Sequence, residues 1–392
     1  MISPNNCHDL FQHANKHTLL SDSKLRAEDD RLLKSVRKEL KQIIRAGFED
    51  HKLLMKSRGL VYELPSPHFR TQGSYVYKTI IDPAYPPAQQ VDLDLGVYLP
   101  FENLLGSDGP SESAKTYFDI IAAIISSHGK WDPKIKSKCI RIFVNERVHI
   151  DLPLYGIPAE EFRQVKAIEL KNKQRNMRNS LVDLEDSLPI TAELNCIHLA
   201  LSSGNWTPSD PLMIINWVYA VCSEHGMKNA IRPLCKYLKA WRDERWQGGG
   251  GPSSIFLLAC VLHNYRHTDS HHHNLLLEII NVLPDCLNHP VLVPAPSADG
   301  EDCQEDLRDR IDAVSREKFK AAFDELKQQY SEAMTTTDLA GANRLLIGLF
   351  GPRLPFDPDR IVRVRPPAPR DKVTSTPAVV APIDMGSESS GG

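Results

Sequence analysis

Apolar residues recur at helical spacing from residue 24 to residue 57. Leu32, Leu33, Val36, Leu40, Ile43, Ile44, Phe48 and Leu53 form one stripe, which predicts a single long amphipathic helix. Ser21, Asp22 and Ser23 precede it as N-cap candidates. The period shortens to two over 91–99 and 140–155, predicting strands, and Asn145-Glu146 between IRIFV and RVHIDLPL predicts a tight hairpin. Between these strands, 111–128 reads as a helix with Tyr117, Ile120, Ile121, Ile124 and Ile125 on its apolar face. From about 208 onward the pattern is mainly helical, over 208–224, 228–246, 253–267, 271–283 and 303–333. The chain therefore predicts a small α+β unit followed by a helical one. GPRLPFDPDR closes the compact part, and the Pro-, Ser-, Thr- and Gly-rich residues after 362 lack any period, predicting a disordered tail.

Composition narrows the class. At 392 residues the chain accommodates two domains or one bilobal unit, and 41% hydrophobic with 25% charged residues is ordinary for a globular protein. No apolar run reaches the roughly 18 residues of a membrane span. The N-terminal MISPNNCHDLFQHANKH lacks a charged-then-apolar leader pattern, and the eight cysteines are scattered as reduced thiols are, so a cytoplasmic location is expected. A net charge of −3 carries no nucleic-acid signal, so any polyanion site must come from local clustering of Lys and Arg.

Three carboxylates carry the chemistry. Asp92 and Asp94 in VDLDLGVYLP alternate with Leu93 and Leu95, so both acids point to one strand face while the leucines face the core. Adjacent carboxylates raise one another's pKa, and a bound cation removes that penalty. Asp151 in HIDLPLY sits mid-strand between Ile150 and Leu152, where it can join them from a neighbouring strand. Three carboxylates with phosphate oxygens suit two Mg²⁺ ions, the requirement of nucleotidyl transfer, with Asp151 orienting or deprotonating the attacking hydroxyl. Upstream, Gly73-Ser74 predicts a turn that is either a plain strand-to-helix turn with Ser74 as its cap or, beside the carboxylates, one whose amides and hydroxyl bind the β- and γ-phosphates. Arg232, Lys236 and Lys239 line up on one predicted helix opposite Leu234, Leu238 and Trp241, ahead of Gly248–Gly251 and Pro252-Ser253-Ser254. That arrangement is a triphosphate clamp or a solvated amphipathic face. Cys260, His263 and His267, near His271–His273, fall on one helix face, but no CxxC accompanies them, and a polar helix face is favoured over a zinc site.

GSYVYK, VDLDLGVYLP, HIDLPLY, LCKYLKAWRDERW with GGGGPSSI, and ANRLLIGLFGPRLP follow in order between about residues 60 and 356. Together they resemble the cGAS/DncV-like nucleotidyltransferases (CD-NTases) of the bacterial cyclic GMP-AMP synthase type. The resemblance implies an α+β, bilobal fold: a polymerase β-like nucleotidyltransferase core with a long spine helix over 1–207, a helical C-terminal lobe over 208–361 and a disordered tail over 362–392. It implies Asp92, Asp94 and Asp151 as metal ligands for two Mg²⁺ ions, Gly73 and Ser74 on the donor triphosphate, Tyr77 stacked on a base, and Lys239 and Ser253 on phosphates. Asp299 and Asp302 are its candidates for reading a base. The implied reaction joins ATP and GTP into a cyclic dinucleotide, with cyclic GMP-AMP expected, that activates a downstream effector in antiphage defence (CBASS). Its rivals are a nucleotidyltransferase that makes another cyclic di- or trinucleotide, one that modifies tRNA or protein, and a silent nucleotide sensor or scaffold. Related synthases are often encoded with an E1/E2-like enzyme, so Gly392, which has no side chain to obstruct a narrow tunnel, is the expected point of conjugation.

Overall fold

The computed structural model describes residues 3–58, 65–100, 111–160, 162–164, 197–226, 230–266, 270–296 and 302–364. His267, Asp299 and Gly392 lie outside the described residues.

The chain opens with strand β1 (Asn5–Asn6) and two single-turn helices, α1 (His8–Phe11) and α2 (Leu19–Asp22). The long helix α3 then runs Ala27–Ser57, with Glu28, Asp29 and Asp30 in its first turn, where acidic groups complement the helix dipole. Its apolar stripe is buried at Leu33, Val36, Leu40, Ile44 and Phe48, whereas Leu53 is 65% exposed. The far end of the helix therefore outruns the core its sequence was written for.

Strand β2 (His68–Gln72) leads into the single turn α4 (Gly73–Val76), and β3 (Val91–Pro100) forms the centre of an eight-stranded sheet. Helix α5 (Ser111–Ser127) follows, then β4 (Lys134–Ile135), β5 (Ile140–Phe143), β6 (Val148–Leu152), β7 (Leu154–Ile157), β8 (His198–Ala200) and β9 (Trp206–Pro208). Strand β2 runs antiparallel to β3, while β6 pairs in parallel with the first half of β3 and β7 with its second half. The break falls at Pro153, which has no N–H to give to a ladder.

Strand alternation sorts the two faces of this sheet. Leu93, Leu95, Val97, Ile150 and Leu152, all at most 1% exposed, pack in one core with α3 and α5. Burial of each such side chain contributes about 2 kcal/mol. The opposite face carries Asp92, Asp94, His149 and Asp151 and looks toward the second half of the chain.

That half is built of α6 (Pro211–Glu224), α7 (Ile231–Arg245), α8 (Ser254–Asn264), α9 (His272–Val282), the hairpin β10 (Leu292–Pro296) and β11 (Asp302–Asp306), and α10 (Ala313–Thr335) with α11 (Leu339–Phe350). The helix expected over 303–333 is thus corrected at its start. Residues 302–306 pair with β10, Leu307–Arg310 form a 3-10 turn, and the Asp312 carboxylate caps the helix proper through the Ser315 amide at 2.9 Å. The ends of the chain also depart from the expected division. Phe11 packs against Tyr237, Tyr330 and Phe350 of the helical half, and β1 pairs with β12 (Val362–Arg363).

Buried charges latch the two halves together. Arg147 from the sheet binds Asp29 of α3 and Asp82, and Arg353 donates to the Asp82 carbonyl and to Asp243 of α7. Gln89 donates to the Asp243 and Trp246 carbonyls at 2.6 and 3.0 Å. The Arg353 and Asp243 side chains are only 6% and 7% exposed. Removing one partner of such a pair leaves an uncompensated buried charge. Arg353→Ala is therefore expected to lower the unfolding free energy by about 3–5 kcal/mol in chemical denaturation; a loss under about 1 kcal/mol would show the latch to be solvated.

Candidate active site

The carboxylate face of the sheet is one wall of a cleft of about 600 Å³ between the sheet and the helical half. Asp94 stands opposite Asp151, and Asp92 opposite His149, in the parallel β3–β6 register. The structure thus brings Asp92, Asp94 and Asp151 together on two adjacent strands. Burial, and then the charges of Asp92 and Asp151, push the Asp94 carboxyl well above the usual carboxylate range. A divalent cation is the simplest relief of that strain, and the residues fit one. Donor atoms of Asp92, His149 and Asp151 all lie within 4.8 Å of one another, and Asp92 Oδ1 is buried with no hydrogen-bond partner. The carboxylates are the oxygen donors that Mg²⁺ takes.

Asp151 is not free in this arrangement. Both of its oxygens accept from Arg141, the residue opposite it on β5, at 2.7 Å each. This bond, ahead of any other influence, drives the Arg141 guanidinium further above its already high pKa. Each Asp151 oxygen keeps a second lone pair, so the carboxylate can hold Arg141 and still offer a donor to a metal.

Gly73 is dictated by Asp94 as much as by phosphate. It has φ +68°, and a Cβ built on it would stand 2.1 Å from Asp94 Oδ2. Only glycine lets the turn and the carboxylate share that space. The Ser74 carbonyl accepts from the Thr79 and Ile80 amides, which closes the turn and leaves Ser74 on the cleft wall. Tyr77 also lines the cleft, but its ring is 8% exposed, so little of its face is open for a base.

Across the cleft, α7 is not a solvated amphipathic helix. Lys239 is 5% exposed, and its Nζ donates to the Thr79 carbonyl at 2.9 Å. Burial, then the nearby Arg242, lowers its ammonium to about 8. Arg232 donates to the Tyr77 carbonyl at 3.0 Å and so braces the turn rather than the cleft. The last part of the Gly248–Gly251 loop folds against α7: a Cβ on Gly251, at φ +79°, would meet Trp246 and Arg242 within 3 Å.

This sheet, turn and helical wall match known proteins in two blocks. The description "Cyclic GMP-AMP synthase DncV-like, nucleotidyltransferase domain" fits residues 67–155, and "Cyclic GMP-AMP synthase, C-terminal domain" fits residues 228–362. The chain belongs to the DncV-like nucleotidyltransferases. It is similar to the cyclic GMP-AMP synthase of Vibrio cholerae serotype O1, 32% identical over 212 residues that cover 50% of this chain and 47% of that protein. An Escherichia coli cyclic GMP-AMP synthase is 28% identical over 240 residues, 58% of this chain and 55% of that one. The chain spans about half the length of these curated relatives. The structure of Vibrio cholerae DncV cyclic AMP-GMP synthase, in complex with the linear intermediate 5′ pppA(3′,5′)pG, superposes with a TM-score of 0.72 at 25% identity, over 93% of this chain and 100% of that one.

Within this DncV-like frame, Ser253 stands apart from the cleft wall. It caps α8, its hydroxyl accepting from the Phe256 amide at 3.3 Å. Its neighbour Ser254 lines the cleft instead and accepts from Arg242 at 2.9 Å. Among the described residues the face of Cys260 and His263 gathers no ligand set: Cys260 is fully buried and His263 meets the Leu292 carbonyl at 2.6 Å. Two polar residues of the site escaped the sequence reading, Arg141 and His149. His149 carried a signal, since it lies two residues before Asp151 and strand alternation puts both on one face. Arg141 carried none, because only the β5–β6 register sets it against Asp151.

Proposed function

We propose that this protein joins ATP and GTP into a cyclic dinucleotide, cyclic GMP-AMP, with release of pyrophosphate at each of two transfers. The observation that carries this reading is the register of Asp92, Asp94 and Asp151 on one face of two adjacent strands, against the Gly73-Ser74 turn. Asp92, Asp94 and Asp151 would hold two Mg²⁺ ions, which when bound supply Lewis-acid stabilisation of charge on the phosphoryl oxygens. Asp151 orients the acceptor 3′-hydroxyl and takes its proton as the oxygen attacks the donor α-phosphorus. The bond from that phosphorus to the β-bridging oxygen breaks, and pyrophosphate leaves. Ser74 and Lys239 hold the leaving phosphates, and the linear product then turns so that its second 3′-hydroxyl repeats the step. The product would activate a downstream effector in antiphage defence. Relatives named cyclic GMP-AMP synthase support this choice of substrates. Incubation with the four labelled NTPs and Mg²⁺, resolved by mass spectrometry, tests it: a cyclic product made from ATP and GTP is expected, and an unreacted pool or a labelled tRNA or protein would overturn it.

Lys239 gives this reading a pH signature. Its ammonium, lowered to about 8, is charged in neutral solution and binds triphosphate; as pH rises through 8 the free protein loses that charge. Affinity for a non-hydrolysable ATP analogue is expected to fall above that pH in wild type and to lose this slope in Lys239→Met. At neutral pH the substitution removes a charge-assisted hydrogen bond worth roughly 1.5–3 kcal/mol, about 10- to 150-fold in Kd. Titration calorimetry showing a change within twofold would remove Lys239 from the clamp.

A further inference from the structure

His149 is held in one tautomer by its surroundings. Its Nδ1 lies 3.0 Å from Gln90 Oε1. The Gln90 amide nitrogen is itself committed, donating to the Asn145 and Glu146 carbonyls at 3.3 and 3.0 Å. An amide oxygen only accepts, so His149 Nδ1 carries a proton and Nε2 is the ring atom turned toward the carboxylates. This is the outer hydrogen bond that fixes a metal-binding imidazole in place.

Nε2 faces a carboxylate. His149 Nε2 and Asp92 Oδ1 are 3.1 Å apart, and each is buried without a hydrogen-bond partner. A nitrogen and a carboxylate oxygen at this distance are joined by a cation, either a proton or a metal ion shared by both. Their spacing suits one: cis ligands about 2.1–2.2 Å from a six-coordinate ion stand about 3.0–3.1 Å apart. Asp151 supplies a third donor within 4.8 Å of both.

We propose that His149 Nε2 is itself a metal ligand, so that one ion of the pair sits in a mixed nitrogen-and-oxygen site that prefers Mn²⁺ to Mg²⁺. Mg²⁺ takes hard oxygen donors, whereas imidazole favours first-row transition ions. This rests on the two-metal reading above and adds the identity of one ion and its fourth protein ligand.

The test reads the ligand directly. The full chain, labelled with ¹⁵N-histidine, is loaded with Mn²⁺ and a non-hydrolysable ATP analogue and examined by pulsed electron paramagnetic resonance. A histidine-nitrogen coupling to Mn²⁺ is expected in wild type and is lost in His149→Gln, whose fold is checked by circular dichroism. Mn²⁺ affinity is expected to fall about tenfold or more in that variant, with Mg²⁺ affinity changed less than twofold. Mn²⁺ bound with no histidine-nitrogen coupling, or a nitrogen coupling that persists in His149→Gln, overturns the proposal and leaves the two-metal reading intact. In the first case a proton on Nε2, pairing an imidazolium with Asp92, is the bridge instead. Failure of the wild type to bind any Mn²⁺ or Mg²⁺ overturns both. Absence of any histidine-nitrogen coupling in the labelled wild type overturns the proposal without relying on the variant.

Discussion

Asp92→Asn combined with Asp94→Asn is expected to cut nucleotide joining below about a hundredth of wild type, a loss of at least about 2.7 kcal/mol of transition-state stabilisation, while the fold is kept. The two acids lie on the cleft face of β3, with Leu93 and Leu95 behind them in the core, so the substitution leaves the packing intact. Stability is expected to hold or to rise. The Asp94 carboxyl has a folded pKa well above its unfolded one, because burial and two neighbouring carboxylates oppose its ionisation. An acid shifted this way costs stability as pH rises through its unfolded and then its folded pKa, and asparagine removes that cost. Product counted by mass spectrometry above a few per cent of wild type, with an unchanged melting curve, would sink the assignment of these two residues as metal ligands. A collapsed melting curve would instead make them structural.

Gly73→Ala is expected to be the second most damaging change, at about 100-fold or more in kcat/KM. The added methyl meets Asp94 Oδ2 at 2.1 Å and must also be held at φ +68°. The left-handed backbone alone costs about 1–2 kcal/mol. The larger effect is positional, since either the turn or the Asp94 carboxylate must move, and about 1 Å of misplacement at a reacting centre costs about 100-fold. The loss should fall mainly on kcat, because the clamp on α7 is untouched. Kinetics within threefold of wild type would mean that the turn and the carboxylate do not share one transition-state geometry.

Much of this site was legible from residue order. Alternation alone put Asp92 and Asp94 on one face of β3 and their leucine neighbours on the other, because a strand turns successive side chains to opposite sides. The same rule placed Ile150 and Leu152 inward beside Asp151. It also held the clue to His149, read too late because a lone histidine in an apolar run looks like any core residue. The α3 stripe was read correctly as a helix, but its burial ends near Phe48, since periodicity reports a face and not how far a partner extends along it.

The misreadings share a cause. Residues 302–306 became a strand because β10 offered them a partner, and strand pairing is a non-local choice that local periodicity does not contain. For Lys239 the sequence left a phosphate clamp and a solvated basic stripe open; the Thr79 carbonyl and the surrounding core make it a buried ammonium on the cleft wall. Ser253 and Ser254 were indistinguishable in a helix-start motif, and only the packing of α8 against Arg242 turned one to the cap and the other to the cleft.

By itself the sequence determined most of the elements and their faces, the placing of the carboxylates on one strand face and the glycine turn, because these follow from periods of 2.0 and 3.6 and from side-chain type. Tertiary structure alone decided that Asp94 faces Asp151 and Asp92 faces His149 across a parallel register, that Arg141 holds both oxygens of Asp151, and that Gly73 yields its space to Asp94. Each of these is a contact made across separate elements, set by how strands align once their apolar faces are buried together, and a shift of one position would have turned the paired side chains away.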